Sequence, residues 1–145
     1  RFAPLALNII YEENPVDCQR LAKLQGWDTI FTNVETDLGP EQPCYTLFGA
    51  SFPDTSLLAV LVIRGTQTIQ DVVTDIRAAP QIATSWDWLS VPSHHTYACG
   101  GMVRAAMNTL REVGPTLRRL HSEGYQIYLA GHSLGGSVAA LLSYM

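Results

Sequence analysis

The chain has 145 residues, 47% of them hydrophobic and 15% charged, with a formal net charge of −4. That is the composition and length of one globular domain, and the acidic balance with no Lys/Arg cluster speaks against nucleic acid and against electrostatic docking on anionic lipid. No apolar run approaches the eighteen or so residues that a membrane-spanning helix needs; Cys18, Cys44 and Cys99 are sparse, odd in number and without metal-ligand spacing, so they read as reduced thiols and favour an intracellular compartment.

In chain order, Leu5 to Tyr11 is apolar enough for a first helix. Asn14-Pro15 opens a second, Pro15 to about Leu24, which Gly26 ends. Thr32 to Pro43 carries acids, Gly39-Pro40 and a further proline, the composition of a surface loop. Tyr45 to Ser51 and Leu57 to Ile63 are β-rich runs separated by the turn tetrad Pro53-Asp54-Thr55-Ser56. They are expected as adjacent antiparallel strands, the second more buried than the first. That second strand runs into Arg64-Gly65-Thr66 and then Thr68 to Ile76, where Ile69, Val72, Val73 and Ile76 fall at i, i+3, i+4 and i+7 of an amphipathic helix. Thr68 with Asp71 resembles a capping box at its start, and Pro80 stops it. Ala79 to Pro92 has no sustained period and reads as loop. From Gly101 to Leu120 the positions Val103, Ala106, Leu110, Val113, Leu117 and Leu120 line one face of a core-facing helix. Gly114-Pro115 should kink or split that helix, and Gly124 ends it.

The last stretch carries the chemistry. An apolar run from Tyr125 breaks into Gly131-His132-Ser133-Leu134-Gly135 and resumes as a small-residue helix over Leu134 to Met145, the form of a nucleophile elbow. A serine hydroxyl is a weak nucleophile, so Ser133 must stand clear of the sheet, near a base and beside donors for the charge that develops on a substrate oxygen. A sharp strand-to-helix turn achieves this at the cost of a strained backbone at Ser133 and of space for any Cβ at Gly131 or Gly135. The Leu134 N–H, at the positive end of the helix, is the expected oxyanion donor. Thr66, just after an earlier strand, is a second candidate donor; on spacing alone Arg64-Gly65-Thr66 reads equally well as a plain strand exit. After Ser133 the sequence contains no Asp, Glu or His. The triad acid and base are therefore expected beyond Met145, because His94, His95, His121 and His132 read as solvated or dipole-capping. The chain opens on Arg1 without a signal peptide and stops inside a helix, so residues 1–145 read as the N-terminal portion of one catalytic domain.

Three ordered motifs, Val62 to Ile76, Ser93 to Met102 and Leu129 to Tyr144, together resemble the class 3 (fungal-type) lipases, and within them the sn-1-specific diacylglycerol lipases. The resemblance implies an α/β-hydrolase fold with a central, mostly parallel sheet, Ser133 as nucleophile, Thr66 and Leu134 as oxyanion donors, and Ile69, Val72, Val73 and Ile76 on a helical lid. It implies hydrolysis of a fatty-acyl ester of a glycerolipid, diacylglycerol first, at a membrane or droplet surface; that chemistry needs no cofactor, and no metal-ligand spacing is present among the cysteines. Membrane association would come from segments outside this stretch. Where the family usually has His-Lys-Gly before the long helix, this chain has Cys99-Gly100-Gly101. Residues 1–43 match no motif. Two alternatives stand beside this reading: an esterase or acyltransferase on a more soluble acyl donor, and a catalytically dead hydrolase fold kept as a binding module.

Overall fold

The computed structural model describes residues 2–33, 42–53, 56–65, 80–82 and 97–145. Helix α1, Ala3–Leu7, stops at Asn8, and a single 3₁₀ turn, Ile9–Tyr11, follows. The one helix expected over Leu5 to Tyr11 is thus two short pieces, broken where Asn8 leaves helical backbone at φ −127°, ψ −64°. Asparagine is a poor interior helix residue because its side chain competes for backbone hydrogen bonds. Helix α2, Pro15–Leu24, is as expected. The Asn14 side chain accepts the Val16 N–H at 2.9 Å, and Pro15 occupies a first-turn position that needs no donor. At its far end Gly26 turns to φ +81°, the Gly26 N–H bonds the Lys23 carbonyl and the Trp27 N–H bonds the Ala22 carbonyl, both at 3.0 Å. This Schellman closure delivers Trp27 into the core, 2% exposed.

The main sheet has strands β1 (Asp28–Thr32), β2 (Tyr45–Ser51), β3 (Leu57–Ile63) and, from the far side of a long helix, β6 (Gln126–Gly131), in the order β1-β2-β3-β6. The expectation of a mostly parallel sheet does not hold among the described residues. β1 pairs β2 and β2 pairs β3 antiparallel, and β3 pairs β6 parallel. The short β2–β3 connection, with the Phe52 N–H bonded to the Ser56 carbonyl at 3.2 Å, permits only antiparallel pairing, whereas a parallel neighbour needs a crossover. Strand β1 was not expected, and Thr32 belongs to it rather than to a loop. Its register shifts between Thr29 and Phe31, and this bulge blurs the alternation that marks a strand. A second, two-stranded sheet pairs β4 (Pro80–Ile82) with β5 (Tyr97–Cys99), so the stretch expected as loop from Ala79 to Pro92 contains a strand.

β2 and β3 are equally buried, each with a single less buried residue, Ser51 or Leu57, at the turn. Both are covered on two faces, which is why their sequences run apolar without alternation. Phe48, Ala50, Leu58, Val60 and Val62 pack with α1, the 3₁₀ turn and α2. Tyr45, Leu47, Ala59, Leu61 and Ile63 pack on the opposite face with helix α3 (Gly100–Ser122) and helix α4 (Leu134–Leu142). Helix α3 is not split at Pro115. Pro115 and Arg111, whose carbonyl loses its donor there, are both exposed, so solvent can take up the missing bond. Gly124, at φ +92°, repeats the α2 ending: the Tyr125 N–H bonds the Leu120 carbonyl at 3.0 Å and turns the chain into β6. Helix α4 ends at Leu142, short of the run expected to Met145. No helix among the described residues is long and apolar enough to cross a membrane.

Candidate active site

The parallel pairing places Ile63 opposite Gly131, so β3 and β6 end side by side. From Gly131 the chain passes through His132 and Ser133 directly into α4, whose N-cap is Ser133. Ser133 lies at φ +55°, ψ −125°, and among the described residues no other non-glycine residue has positive φ. This is the backbone of the first central position of a type II′ turn, ordinarily taken by glycine. Ser133 is exposed and Leu134 is 8% exposed, so the serine stands out while its neighbour is anchored in the core.

The turn is tight enough to exclude side chains. A Cβ on Gly131 would strike the Gly135 backbone and come within 2.7 Å of the Gly136 nitrogen; one on Gly135 would strike the Ile63 carbonyl, 2.9 Å from its carbon. At both glycines the atoms nearest the added carbon are backbone, which leaves no room for a side chain. Gly65, after β3, belongs to the same contact, since a Cβ there would lie 2.5 Å from the His132 carbonyl oxygen. In α4 the Gly135 N–H bonds the His132 carbonyl at 3.1 Å, and the Gly136 and Ser137 N–H groups bond the Ser133 carbonyl at 3.0 and 3.2 Å. Among the described residues nothing accepts the Leu134 N–H, the donor at the positive end of the helix.

The structure thus brings Gly131, Ser133, Leu134 and Gly135 together, with Gly65 beside them. Thr66 and the expected lid residues Ile69, Val72, Val73 and Ile76 lie outside the described residues, as do His94 and His95. His132 and His121 are both exposed, the latter in the last turn of α3. Cys18, a buried thiol, is no rival nucleophile, because burial, and then the charge of Glu12, push its pKa up and keep it protonated. A cavity of about 620 Å³ opens at the β1 edge of the sheet, lined by Phe31, Asn33, Tyr45, Asn108 and Glu112 among others, and none of the elbow residues lines it. Burial, and then the neighbouring Glu112, raise the Tyr45 pKa, so that phenol stays neutral there.

One residue at the site was invisible in the sequence. Tyr11, from a stretch without a motif, accepts the Gly65 N–H at 3.2 Å with its phenol oxygen, and the Arg64 guanidinium lies over its ring at 5.6 Å. Fifty-four residues separate Tyr11 from Gly65, and only the docking of the 3₁₀ turn on the sheet joins them.

A strand ending in glycine, a serine at positive φ and a helix starting on the next residue are the elbow geometry of an α/β-hydrolase. The mixed sheet with helices on both faces is consistent with a part of that fold. The chain belongs to the class 3 lipases: the family described as Lipase (class 3) matches residues 60–145, more than half of the chain. It is also similar to a Gibberella zeae protein named secreted mono- and diacylglycerol lipase 2, with 35% identity over 95 residues that cover 57% of this chain and 23% of that protein. The chain therefore spans about a quarter of that relative's length. The expected likeness to class 3 lipases near the diacylglycerol lipases is borne out. No solved structure matches the chain significantly.

Proposed function

We propose that residues 1–145 form the N-terminal part of an α/β-hydrolase catalytic domain that hydrolyses a fatty-acyl ester of a glycerolipid, diacylglycerol first, through an acyl-serine at Ser133. The observation that carries this is the exposed Ser133 held at φ +55° at the head of α4, in a chain of the class 3 lipase family. Ser133 Oγ attacks the ester carbonyl. The charge that develops on the carbonyl oxygen is met by the Leu134 N–H, backed by the α4 dipole, and by Thr66, which follows Gly65 in the chain. Gly65 packing on the His132 carbonyl supports that second donor. The base that takes the serine proton, and the acid that orients it, lie beyond Met145 in this reading, since no Asp, Glu or His follows Ser133. No cofactor enters this chemistry. An intracellular setting, with membrane association through segments outside these residues, completes the reading and rests on the sparse cysteines and the family resemblance; the word secreted in the relative's name describes the relative.

In the longer protein a fluorophosphonate probe should label Ser133, and Ser133→Ala should abolish both labelling and turnover of a diacylglycerol emulsion. Undiminished labelling of the alanine variant would sink the assignment. Residues 1–145 by themselves should turn over negligible ester, because without a base only residual oxyanion and binding effects remain.

The helix expected over Thr68 to Ile76 is proposed as a lid whose apolar residues Ile69, Val72, Val73 and Ile76 cover the site in water and face lipid at an interface. Burying an aliphatic side chain is worth about 1.5–3 kcal/mol, and a lipid surface offers that burial elsewhere, so activity should rise as substrate aggregates. Val72→Asp should remove the preference for aggregated substrate and leave turnover of a short-chain soluble ester intact. Unfolding with parallel loss of both activities would mark a fixed core helix instead.

A further inference from the structure

We propose that Tyr11 is a positioning residue of this active site, holding the exit of β3 against the elbow through its phenol oxygen. The proposal rests on the serine-hydrolase reading above. The last ladder bond between β2 and β3 beyond their paired residues runs from the Arg64 N–H to the Cys44 carbonyl, at 2.8 Å. One residue later the strand pairing has stopped, yet Gly65 is buried and its N–H needs an acceptor. Tyr11 Oη supplies it at 3.2 Å. A Cβ on Gly65 would meet the His132 carbonyl oxygen at 2.5 Å and Tyr11 Oη at 3.1 Å, so the phenol and the elbow close on the same side of this residue. The Arg64 guanidinium over the tyrosine ring ties the preceding residue to the same group.

Tyr11 is itself held rigidly. Its N–H bonds the Asn8 carbonyl at 3.0 Å, the preceding Ile9 and Ile10 are 5% and 0% exposed, and its ring packs on the first core cluster. A fixed side chain on a packed element therefore sets the position of Gly65, the residue that precedes the proposed donor Thr66 in the chain. Having accepted one hydrogen bond, the phenol keeps its own proton to donate. Displacing a group that stabilises the transition state by about 1 Å costs up to about 10²-fold in rate, so the effect of Tyr11 belongs in kcat.

The test uses Tyr11→Phe in the longer protein, which keeps the ring and removes one oxygen. The expected result is a kcat lower by about tenfold or more with KM nearly unchanged, and a tetrahedral-mimicking trifluoromethyl ketone weakened by the same factor as kcat/KM. Because Tyr11 acts through the β3 exit, its effect and that of Thr66→Ala on kcat should combine to less than their product. A wild-type kcat in Tyr11→Phe, a loss confined to KM, or strictly multiplicative effects would each overturn the proposal. Should Tyr11→Phe fail to fold, amide exchange in the wild-type protein decides: Gly65 should be protected, and exchange at the rate of an exposed loop amide would overturn it. Ser133→Ala is run alongside. If it still turns over substrate, the serine reading fails; if it is silent while Tyr11→Phe matches wild type, the Tyr11 assignment alone fails.

Discussion

Ser133→Gly should melt at a higher temperature than the wild-type protein while losing all turnover. A residue held in a sparsely populated backbone region costs about 1–3 kcal/mol, and φ +55°, ψ −125° at Ser133 is a conformation that glycine adopts freely. Glycine gives back part of that gain through the greater freedom of the unfolded chain, about 0.5–1 kcal/mol. The net gain expected in the longer protein is about 1 kcal/mol, or about 2–4 °C for a domain of roughly 150–250 residues. Turnover goes because the attacking oxygen is gone, and removal of any triad member leaves only oxyanion and binding effects. Calorimetry of both proteins with an ester assay checks both halves. An unchanged or lower Tm would mean that the serine sits there without strain.

Gly135→Ala should do the reverse, lowering stability and activity together. Its added methyl would run into the Ile63 carbonyl, and that strand is buried on both faces and paired on both edges, so it cannot yield. Overpacking a core ordinarily costs about 1–3 kcal/mol, and against backbone the upper end or more is expected, about 10 °C in Tm. Gly101→Ala is the internal contrast. It sits in the first turn of α3 with nothing among the described residues within 4 Å of the added carbon, and its φ is not positive. Alanine there should stabilise by about 0.4–1 kcal/mol by restricting the unfolded chain. If the two alanines shift Tm alike, the close approach of α4 to β3 is wrong.

The parts of this fold legible in the sequence are those specified locally. Asn14-Pro15, Gly26 and Gly124 act within a few residues of themselves, and each marks a helix end in the structure as expected. The apolar runs of β2 and β3 are strands for the same reason, their pairing fixed by a short turn. The elbow was legible because its chemistry imposes glycine at two set distances from Ser133. What escaped depends on distant partners. β1 is a bulged strand that exists because β2 offers it an edge, and β4 exists because β5 does. Tyr11 is the clearest instance: nothing in Ile10-Tyr11-Glu12 points to a site, and its role arises when a 3₁₀ turn docks beside the end of β3. The proline in α3 misled for the opposite reason, since a local rule against proline was overridden by the packing of a long helix whose prolyl side faces solvent.

Around the elbow, main chain touches main chain: Gly65 on His132, Gly131 on Gly135, Gly135 on Ile63. Apart from the Tyr11 phenol beside Gly65, the atoms nearest to these glycines are backbone, so a substitution there has almost no neighbouring side chain to accommodate it. A side chain added at one of these glycines would therefore be felt as a displaced backbone rather than as an altered pocket wall.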